Sequence, residues 1–271
     1  MATTAWTGTV SDNWGTAANW TNGVPGSDDI AIISPDAVRH IKSGLTPGVT
    51  DLGLLYISEG SNIEIGDAGN PLTLDADKVL HKGNGTLHYA VKSDTVVTQR
   101  HCINAPSTTK FYLSGENADI VEVVSGHMIL TALGVGGGAV DELRIGSNFS
   151  TLSNPRVTAN PLVGNITMCA MSGGVLELSA YVPTFFMSGG YVKHVGHDTV
   201  VGALYQSGGL YELYPSNVGG AAVSNLRLMG GVFDATVNDL PKTITAYTLW
   251  PGGELRVNPD IATKSELILA G

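Results

Sequence analysis

The sequence predicts an all-β chain folded as one parallel β-helix, a solenoid in which each coil packs on the next. Three observations support this fold class. A phrase built around Gly-Gly recurs five times in the C-terminal half, and the residues after each glycine pair alternate between apolar and polar. Glycine supplies 35 of 271 residues while charged residues supply only 14%, which is typical of turn-rich β chains. The hydrophobic content of 43% excludes global disorder.

The repeats have the length of a solenoid coil. Their glycine pairs begin at residues 173, 189, 208, 230 and 252, so the steps are 16, 19, 22 and 22 residues. Repeats made of two helices take roughly 33 to 47 residues, whereas a β-helix coil closes in about 20. The five copies are Met171–Leu178, Met187–His194, Gln206–Leu213, Leu228–Ala235 and Trp250–Val257.

Each repeat contains a strand whose two faces differ, because successive side chains in a strand point to opposite sides. One face should be buried: Leu176, Leu178, Val192, His194, Tyr211, Leu213, Phe233, Ala235, Leu255 and Val257. The residues between them form a column of mixed charge that we place in solvent: Glu177, Lys193, Glu212, Asp234 and Arg256. Mixed signs allow stacked neighbours about 4.8 Å apart to attract.

The glycine pairs are predicted to form the corner before each strand, since glycine reaches positive φ without steric cost. A β-branched residue at Gly174 or Gly190 should therefore strain the turn. The position before each corner should form a second inward column, and each apolar member should contribute roughly 1.5 to 3 kcal/mol if fully buried. Its members are Met171, Met187, Gln206, Leu228 and Trp250.

Weaker copies of the phrase upstream, at residues 60–65, 84–89 and 126–130, indicate that the solenoid starts early. We divide the chain into an N-terminal tryptophan-rich cap or arm, residues 1–30, and a β-helix over residues 31–271 with room for about ten coils. Two stretches rich in Gly, Asn, Pro and Ser, residues 100–118 and 134–165, are predicted to be longer loops.

Charge and composition exclude several classes of partner. A net charge of −10 argues against nucleic acid and against an anionic membrane, since neither would gain favourable electrostatics from it. The chain has no apolar run of 18 residues, and its first residues lack the basic start and apolar core of a signal peptide, so we expect synthesis in a cytoplasm. Cys102 and Cys169 lie far apart and are expected to be free buried thiols, although one disulfide stays possible.

The N-terminal segment contains a specific tryptophan spacing. Trp6, Trp14 and Trp20 are separated by turns rich in Ser, Asn and Thr, and Pro25-Gly-Ser-Asp-Asp-Ile30 follows them. An aromatic cap would protect the open end of a solenoid from edge pairing, and stacking on a sugar ring is the alternative role. The segment resembles the opening of many right-handed β-helix proteins, among them autotransporter passengers and bacteriophage virion proteins.

With no signal peptide, the resemblance favours the virion branch: a capsid decoration (cement) protein or a short tailspike-like protein. It implies a right-handed β-helix, a homotrimer, the major capsid protein as partner and a place on the virion capsid surface, and the tryptophan segment becomes a candidate capsid contact. A tailspike-like protein that binds or depolymerises polysaccharide and a secreted adhesin fragment are the alternatives.

One further column indicates oligomerisation. The residues directly after the glycine pairs are mostly apolar at a position that should face outward: Val175, Tyr191, Leu210 and Val232, followed by Glu254. An exposed apolar stripe along a rod is more often an interface than a solvated face, which makes these four residues candidates for a subunit interface. A position turned into the corner would explain them equally.

The sequence contains no pattern that predicts catalysis. The acidic pairs Asp28-Asp29 and Asp75/Asp77 fit turns beside strands, and the β-roll calcium consensus fails at every repeat. His194, His197 and Asp198 form a histidine-containing cluster for which we prefer a structural role, and no zinc pattern is present. The chain is therefore expected to be non-enzymatic, with no cofactor and no metal.

Overall fold

A computed structural model describes residues 1–47, 52–92, 99–133, 138–146, 154–159, 165–196, 198–216, 220–258, 262–263 and 267–269. Strands dominate these residues, and one 3₁₀ turn, Ala17–Asn19, is the helix among them. The strands are β1 (Thr3–Trp6), β2 (Ile30–Ile33), β3 (Leu54–Ile57), β4 (Leu72–Leu74), β5 (Lys78–His81), β6 (Leu87–Val91), β7 (Arg100–Asn104), β8 (Lys110–Gly115), β9 (Ala118–Ser125), β10 (His127–Leu133), β11 (Gly138–Ile145), β12 (Arg156–Ala159), β13 (Asn165–Met171), β14 (Val175–Leu178), β15 (Val182–Met187), β16 (Tyr191–Gly196), β17 (Asp198–Gln206), β18 (Leu210–Pro215), β19 (Ala221–Leu228), β20 (Gly231–Asp234), β21 (Lys242–Leu249), β22 (Gly253–Arg256), β23 (Ala262–Thr263) and β24 (Leu267–Leu269).

The strands form two parallel sheets. The fourteen-stranded sheet has the order β1-β2-β3-β5-β7-β9-β11-β13-β15-β17-β19-β21-β23, with β24 also paired to β21. The ten-stranded sheet has the order β22-β20-β18-β16-β14-β12-β10-β8-β6-β4. From β4 to β22, consecutive strands alternate between the sheets and each pairs with the strand one coil later. This topology is a parallel β-solenoid of about nine turns, which confirms the predicted fold class.

The interior lies between the two sheets and matches the predicted inward column. Leu176, Val192, Tyr211 and Phe233 are fully buried, and the rings of Tyr211 and Phe233 stack with centroids 5.3 Å apart. The last repeat differs, because Leu255 is only half-buried and Val257 is 39% exposed. Leu255 still packs against the core, but the placement of Val257 on the buried face was wrong for a physical reason: β22 ends the ten-stranded sheet in the described part of the chain, so no next coil covers it.

The inward column before each corner is also present. Met171, Met187 and Leu228 are buried, and Gln206 is buried among them. The Gln206 amide nitrogen donates to the carbonyl oxygens of Gly209 at 3.1 Å and Val232 at 2.9 Å, and these bonds offset the cost of burying the amide. Trp250, the last member, is half-buried.

Two predicted boundaries need correction. Residues 100–118 are mostly strand rather than loop, since they contain β7, β8 and the start of β9. Part of 134–165 is also strand, β11 and β12, while residues 134–137, 147–153 and 160–164 lie outside the described residues. In residues 100–118 the turn-forming residues that suggested a loop, among them Pro106 and Ser107, lie at the corners between strands, where every coil needs them.

The N-terminal segment is part of the solenoid. β1 pairs in parallel with β2, from Thr3 opposite Ile30 to Trp6 opposite Ile33, so residues 3–6 supply the first strand of the fourteen-stranded sheet. At the other end, β24 pairs in parallel with β21. Both chain ends therefore add strands to the same sheet.

Candidate functional site

The predicted interface residues form one straight column on the outer face of the ten-stranded sheet. The column consists of Val175, Tyr191, Leu210 and Val232, each paired with the next across neighbouring strands. All four are half-buried and alternate with fully buried residues, which places them on the outer face and not inside the corner. Arg156 and Glu254 continue the column at its two ends, so the apolar stretch is four strands long and ends in charges of opposite sign.

The predicted charged column runs beside it on the same face. Glu177, Lys193, Glu212 and Asp234 are in cross-strand register. The prediction that all of them lie in solvent was wrong for Asp234, which is buried because Thr236 bonds to its carboxylate and Arg256 lies beside it. The Tyr191 hydroxyl donates to the Glu212 carboxylate at 2.5 Å, which holds this ring of the apolar column in place. The outer face therefore carries an apolar ridge one residue wide with an ordered charged edge.

The three N-terminal tryptophans are buried and pack on one another. The ring of Trp20 meets Trp6 at 5.2 Å and Trp14 at 4.8 Å between centroids, both edge to face. Trp6 Nε1 donates to the Arg39 carbonyl oxygen at 2.9 Å, and Trp20 Nε1 donates to the Trp14 carbonyl oxygen at 2.7 Å. The cluster forms the hydrophobic core of the first coil, and buried rings are not available for stacking on a sugar or contacting a capsid.

Replacing these tryptophans should show which of them carries a hydrogen bond. Trp20→Phe leaves the buried Trp14 carbonyl oxygen without its donor, whereas Trp14 Nε1 has no partner among the described residues. We therefore expect Trp20→Phe to lower the free energy of unfolding by about 1 to 2 kcal/mol more than Trp14→Phe. Denaturant midpoints of the two variants measure this difference. If both variants lose the same free energy of unfolding, the hydrogen bond from Trp20 Nε1 contributes no net stability.

Of the predicted cluster of His194, His197 and Asp198, the structure describes His194 and Asp198. His194 is buried inside the solenoid, where Nε2 donates to the Ala180 carbonyl oxygen at 2.9 Å and Nδ1 accepts from the Tyr211 hydroxyl. His197 lies outside the described residues, and Asp198 begins β17 with a φ of +57°. His194 therefore has the structural role that its inward position predicts.

The described residues also contain no group of three His, Cys, Asp or Glu side chains close enough to hold a metal ion. Cys102 and Cys169 are both free and buried, as predicted. Burial raises the pKa of the Cys102 thiol to about 11, so the thiol stays protonated and unreactive at neutral pH.

An open groove of about 630 Å³ lies on the outer face of the fourteen-stranded sheet. One column of that sheet runs through it, in cross-strand register, as Glu122, Arg144, Ala170, Phe186 and Tyr205. Three exposed serines line its side, one per coil: Ser172, Ser188 and Ser207. A groove of this size lies within the range of ligand-binding clefts.

The column in the groove contains a stack of flat groups. The rings of Phe186 and Tyr205 are 5.0 Å apart and nearly parallel, at 18°. The guanidinium of Arg227, the next member of the column, lies 5.2 Å from the centre of the Tyr205 ring. Phe186 remains 43% exposed, which is unusual for a large apolar side chain on a rigid sheet.

The charged residues at the other end of the groove are paired. Arg144 donates to Glu142 through Nε at 2.7 Å and Nη2 at 2.5 Å, and this hydrogen bonding lowers the pKa of the Glu142 carboxyl. Glu122 is hydrogen-bonded to Arg100 in the neighbouring coil. The arrangement can donate and accept hydrogen bonds with little net charge.

Sequence reasoning missed this groove because its lining residues are separated by a full coil each. Ala170, Phe186 and Tyr205 lie 16 and 19 residues apart, the same steps as the glycine pairs. Aligning the repeats on Gly-Gly also places these residues, three before each pair, in one column. The groove column could therefore have been predicted by extending the Gly-Gly alignment three residues towards the N-terminus.

The fold and these surfaces define the class of protein: an elongated parallel β-solenoid with an apolar outer column on one sheet and an aromatic groove on the other. Comparison of the chain with protein-family models, with curated protein sequences and with solved structures gave no match in any of the three. No helix in the described part of the chain is long and apolar enough to span a membrane.

Proposed function

We propose that this chain is a structural, non-enzymatic virion protein of a bacteriophage, a decoration (cement) protein that binds the outer surface of the head as a homotrimer and stabilises it. The observation that carries the proposal is the apolar column Val175, Tyr191, Leu210 and Val232. It is straight, in register and held on a rigid sheet. The resemblance of the tryptophan segment to phage β-helix proteins supports the choice of a virion.

The column suits side-by-side association of identical rods. Three parallel copies would bring three such ridges to a common axis, with the charged columns at the rim, where ion pairs set orientation more than affinity. A ridge one residue wide buries little area by itself, so neighbouring outer-face residues must contribute to a stable interface.

The capsid contact belongs to the exposed surface of the cap rather than to its tryptophans. Val10 and Val38 are 59% and 66% exposed at the N-terminal end. The Val38 amide donates to the Thr7 carbonyl oxygen at 3.0 Å, and the Val10 amide donates to Asn19 Oδ1 at 3.0 Å, so both valines are held on the first coil. Exposed apolar residues on an ordered backbone are suitable for burial against the major capsid protein.

We expect the purified protein to have three times the monomer mass of 28.1 kDa in light scattering at micromolar concentration. Leu210→Arg should reduce that mass to the monomer's, because it places a charge between Tyr191 and Val232 in the middle of the ridge. Thr184→Arg, a matched outward substitution on the other sheet, should leave the trimer intact. A monomeric wild-type protein, a trimer that survives Leu210→Arg, or a trimer that Thr184→Arg also dissociates would contradict the interface.

The virion assignment has its own test. Phage heads stripped of this protein should bind it back at near-capsid stoichiometry and gain resistance to heat or chelator. Val38→Lys should weaken that rebinding without changing the trimer mass. Heads that do not bind the trimer, or virions that lack the protein, would refute the assignment.

A tailspike-like protein that binds or depolymerises polysaccharide is the second candidate. The aromatic groove supports polysaccharide binding. Hydrolysis is less well supported, because a glycosidase needs a carboxylic acid with a raised pKa, whereas the pKa of Glu142 beside the groove is lowered by Arg144.

A further inference from the structure

We propose that the groove on the fourteen-stranded sheet is a binding site for a neutral glycan, with one pyranose ring held over Ala170 between the Phe186 ring and the Arg144 guanidinium. This site does not depend on the structural role proposed first; it rests on the second candidate, polysaccharide binding, and names the residues and the class of sugar.

The flat side chains of the groove column are regularly spaced. Neighbouring strands in a sheet are about 4.8 Å apart, and the flat groups of Phe186, Tyr205 and Arg227 follow that period, with 5.0 Å and 5.2 Å between successive members. Ala170 interrupts the series, because its side chain is a single methyl group. Arg144 then resumes the column one strand further on.

The interruption leaves a slot of defined width. Phe186 and Arg144 are two strands apart, about 9.6 Å, so a ring centred over Ala170 would lie at about 4.8 Å from each. One face of the Phe186 ring is stacked on Tyr205, so the slot lies against the opposite face, and Phe186 is 43% exposed as a whole. A flat ligand in the slot would continue the stack.

Serine hydroxyls lie beside the slot. The Ser172, Ser188 and Ser207 hydroxyls make only long contacts, at 3.4 to 3.5 Å, to carbonyl oxygens of the preceding coil. Such long bonds are weak, so these hydroxyls can turn towards a ligand. The serines repeat once per coil beside the aromatic column, so a ring in the slot has hydroxyl groups beside its edge.

The chemistry of the slot favours a neutral sugar as its ligand. The C–H groups on one face of a pyranose carry partial positive charge and pack well on the negative face of an aromatic ring, while its hydroxyls need donors and acceptors at the edge. Arg144 and Glu122 supply both, and each is already paired with an opposite charge, so the site favours a neutral sugar. The net charge of −10 disfavours a nucleic acid, whose bases could also stack.

Affinity electrophoresis of the full chain in native gels that contain a polysaccharide tests the site. The probes are dextran, mannan, galactan and a neutral O-antigen polysaccharide, with hyaluronan and single-stranded DNA as charged comparators. We expect at least one neutral polymer to retard the wild-type protein. Phe186→Ala, which removes one wall, and Ala170→Trp, which fills the slot, should each weaken the apparent affinity at least tenfold.

Tyr56→Ala is the matched control. Tyr56 is an aromatic residue of the same outer column, several coils away from the groove, and its removal should leave retardation unchanged. Ala170→Trp adds a side chain on the outer face without removing any contact, so it tests the slot even if Phe186→Ala folds poorly. No retardation by any neutral polymer, retardation by the charged polymers alone, or retardation that survives both groove variants would overturn the proposal. None of these results depends on the trimer mass or on capsid binding.

Discussion

Between pH 6.5 and pH 4 the free energy of unfolding of this protein is expected to fall steeply. Three histidines, His81, His101 and His194, are fully buried in the solenoid interior. Burial lowers the pKa of each imidazole from 6.5 to about 4, since the charged form loses its hydration. In the unfolded chain their pKa returns to about 6.5.

The sign follows from proton uptake. Above pH 6.5 the histidines are neutral in both states and contribute no pH dependence. Between 6.5 and 4 the unfolded chain binds protons that the folded protein does not, so stability falls as the pH falls. A depression of about 2.5 pH units corresponds to about 3 kcal/mol for each histidine. Below pH 4 both states are protonated at these sites, and the decline from the histidines ends.

Two of these histidines provide a matched pair of variants. Neither ring nitrogen of His101 has a hydrogen-bond partner among the described residues, whereas His194 bonds to both Ala180 and Tyr211. His101→Phe should therefore be as stable as the wild type or more so at pH 7.5. His194→Phe should lose about 1 to 3 kcal/mol there, because it leaves buried polar groups unpaired.

Both variants should reduce the loss of stability on acidification by about one third. Urea midpoints at pH 7.5, 5.5 and 4.5 measure this. The carboxyls with lowered pKa, such as those of Glu142 and Asp234, begin to lose their contribution at about pH 5 and lose it as the pH falls through their folded-state pKa. The change between pH 7.5 and 5.5 therefore reports mainly on the histidines. An unchanged slope in His101→Phe would show that this residue is not responsible for the acid effect.

Gly190→Ala is expected to destabilise the protein by about 3 kcal/mol, and Gly190→Val by more. Gly190 has a φ of +88°, and a Cβ there would lie 2.5 Å from the Met171 methyl carbon and 2.7 Å from the Gly174 carbonyl oxygen. The substitution therefore combines backbone strain with a steric clash against the preceding coil. That coil cannot move away without losing its strand pairing with its neighbours.

Gly173→Ala is the control in the same corner motif. Its φ lies outside the positive region, and a Cβ there would meet no atom within 4 Å. Its effect should stay within about 1 kcal/mol and can be stabilising, since alanine restricts the unfolded chain. Thermal and urea unfolding of both variants measures the contrast. Equal losses at residues 173 and 190 would mean that the corner does not depend on positive φ at the second glycine.

The parts of the fold that the repeats encode were predictable. Apolar and charged residues alternate along each strand, so the buried column Leu176, Val192, Tyr211 and Phe233 could be assigned from the sequence alone. The prediction failed at Val257 because burial there requires a further coil, which sequence alternation does not guarantee. It failed at residues 100–118 because glycine, serine and proline mark corners and loops alike, and only the pairing of β7 and β8 with their neighbours separates the two.

The sequence by itself determined the period of the solenoid, the inward and outward columns of its repeats and the glycine corners, because each of these depends on residues close together in the chain. Only the tertiary structure decided that the tryptophans are buried in the first coil and that Ala170 leaves a slot between Phe186 and Arg144. Those features depend on which residues of successive coils lie opposite one another. That register is set by backbone pairing between strands a whole coil apart, and it turns separate side chains into a surface.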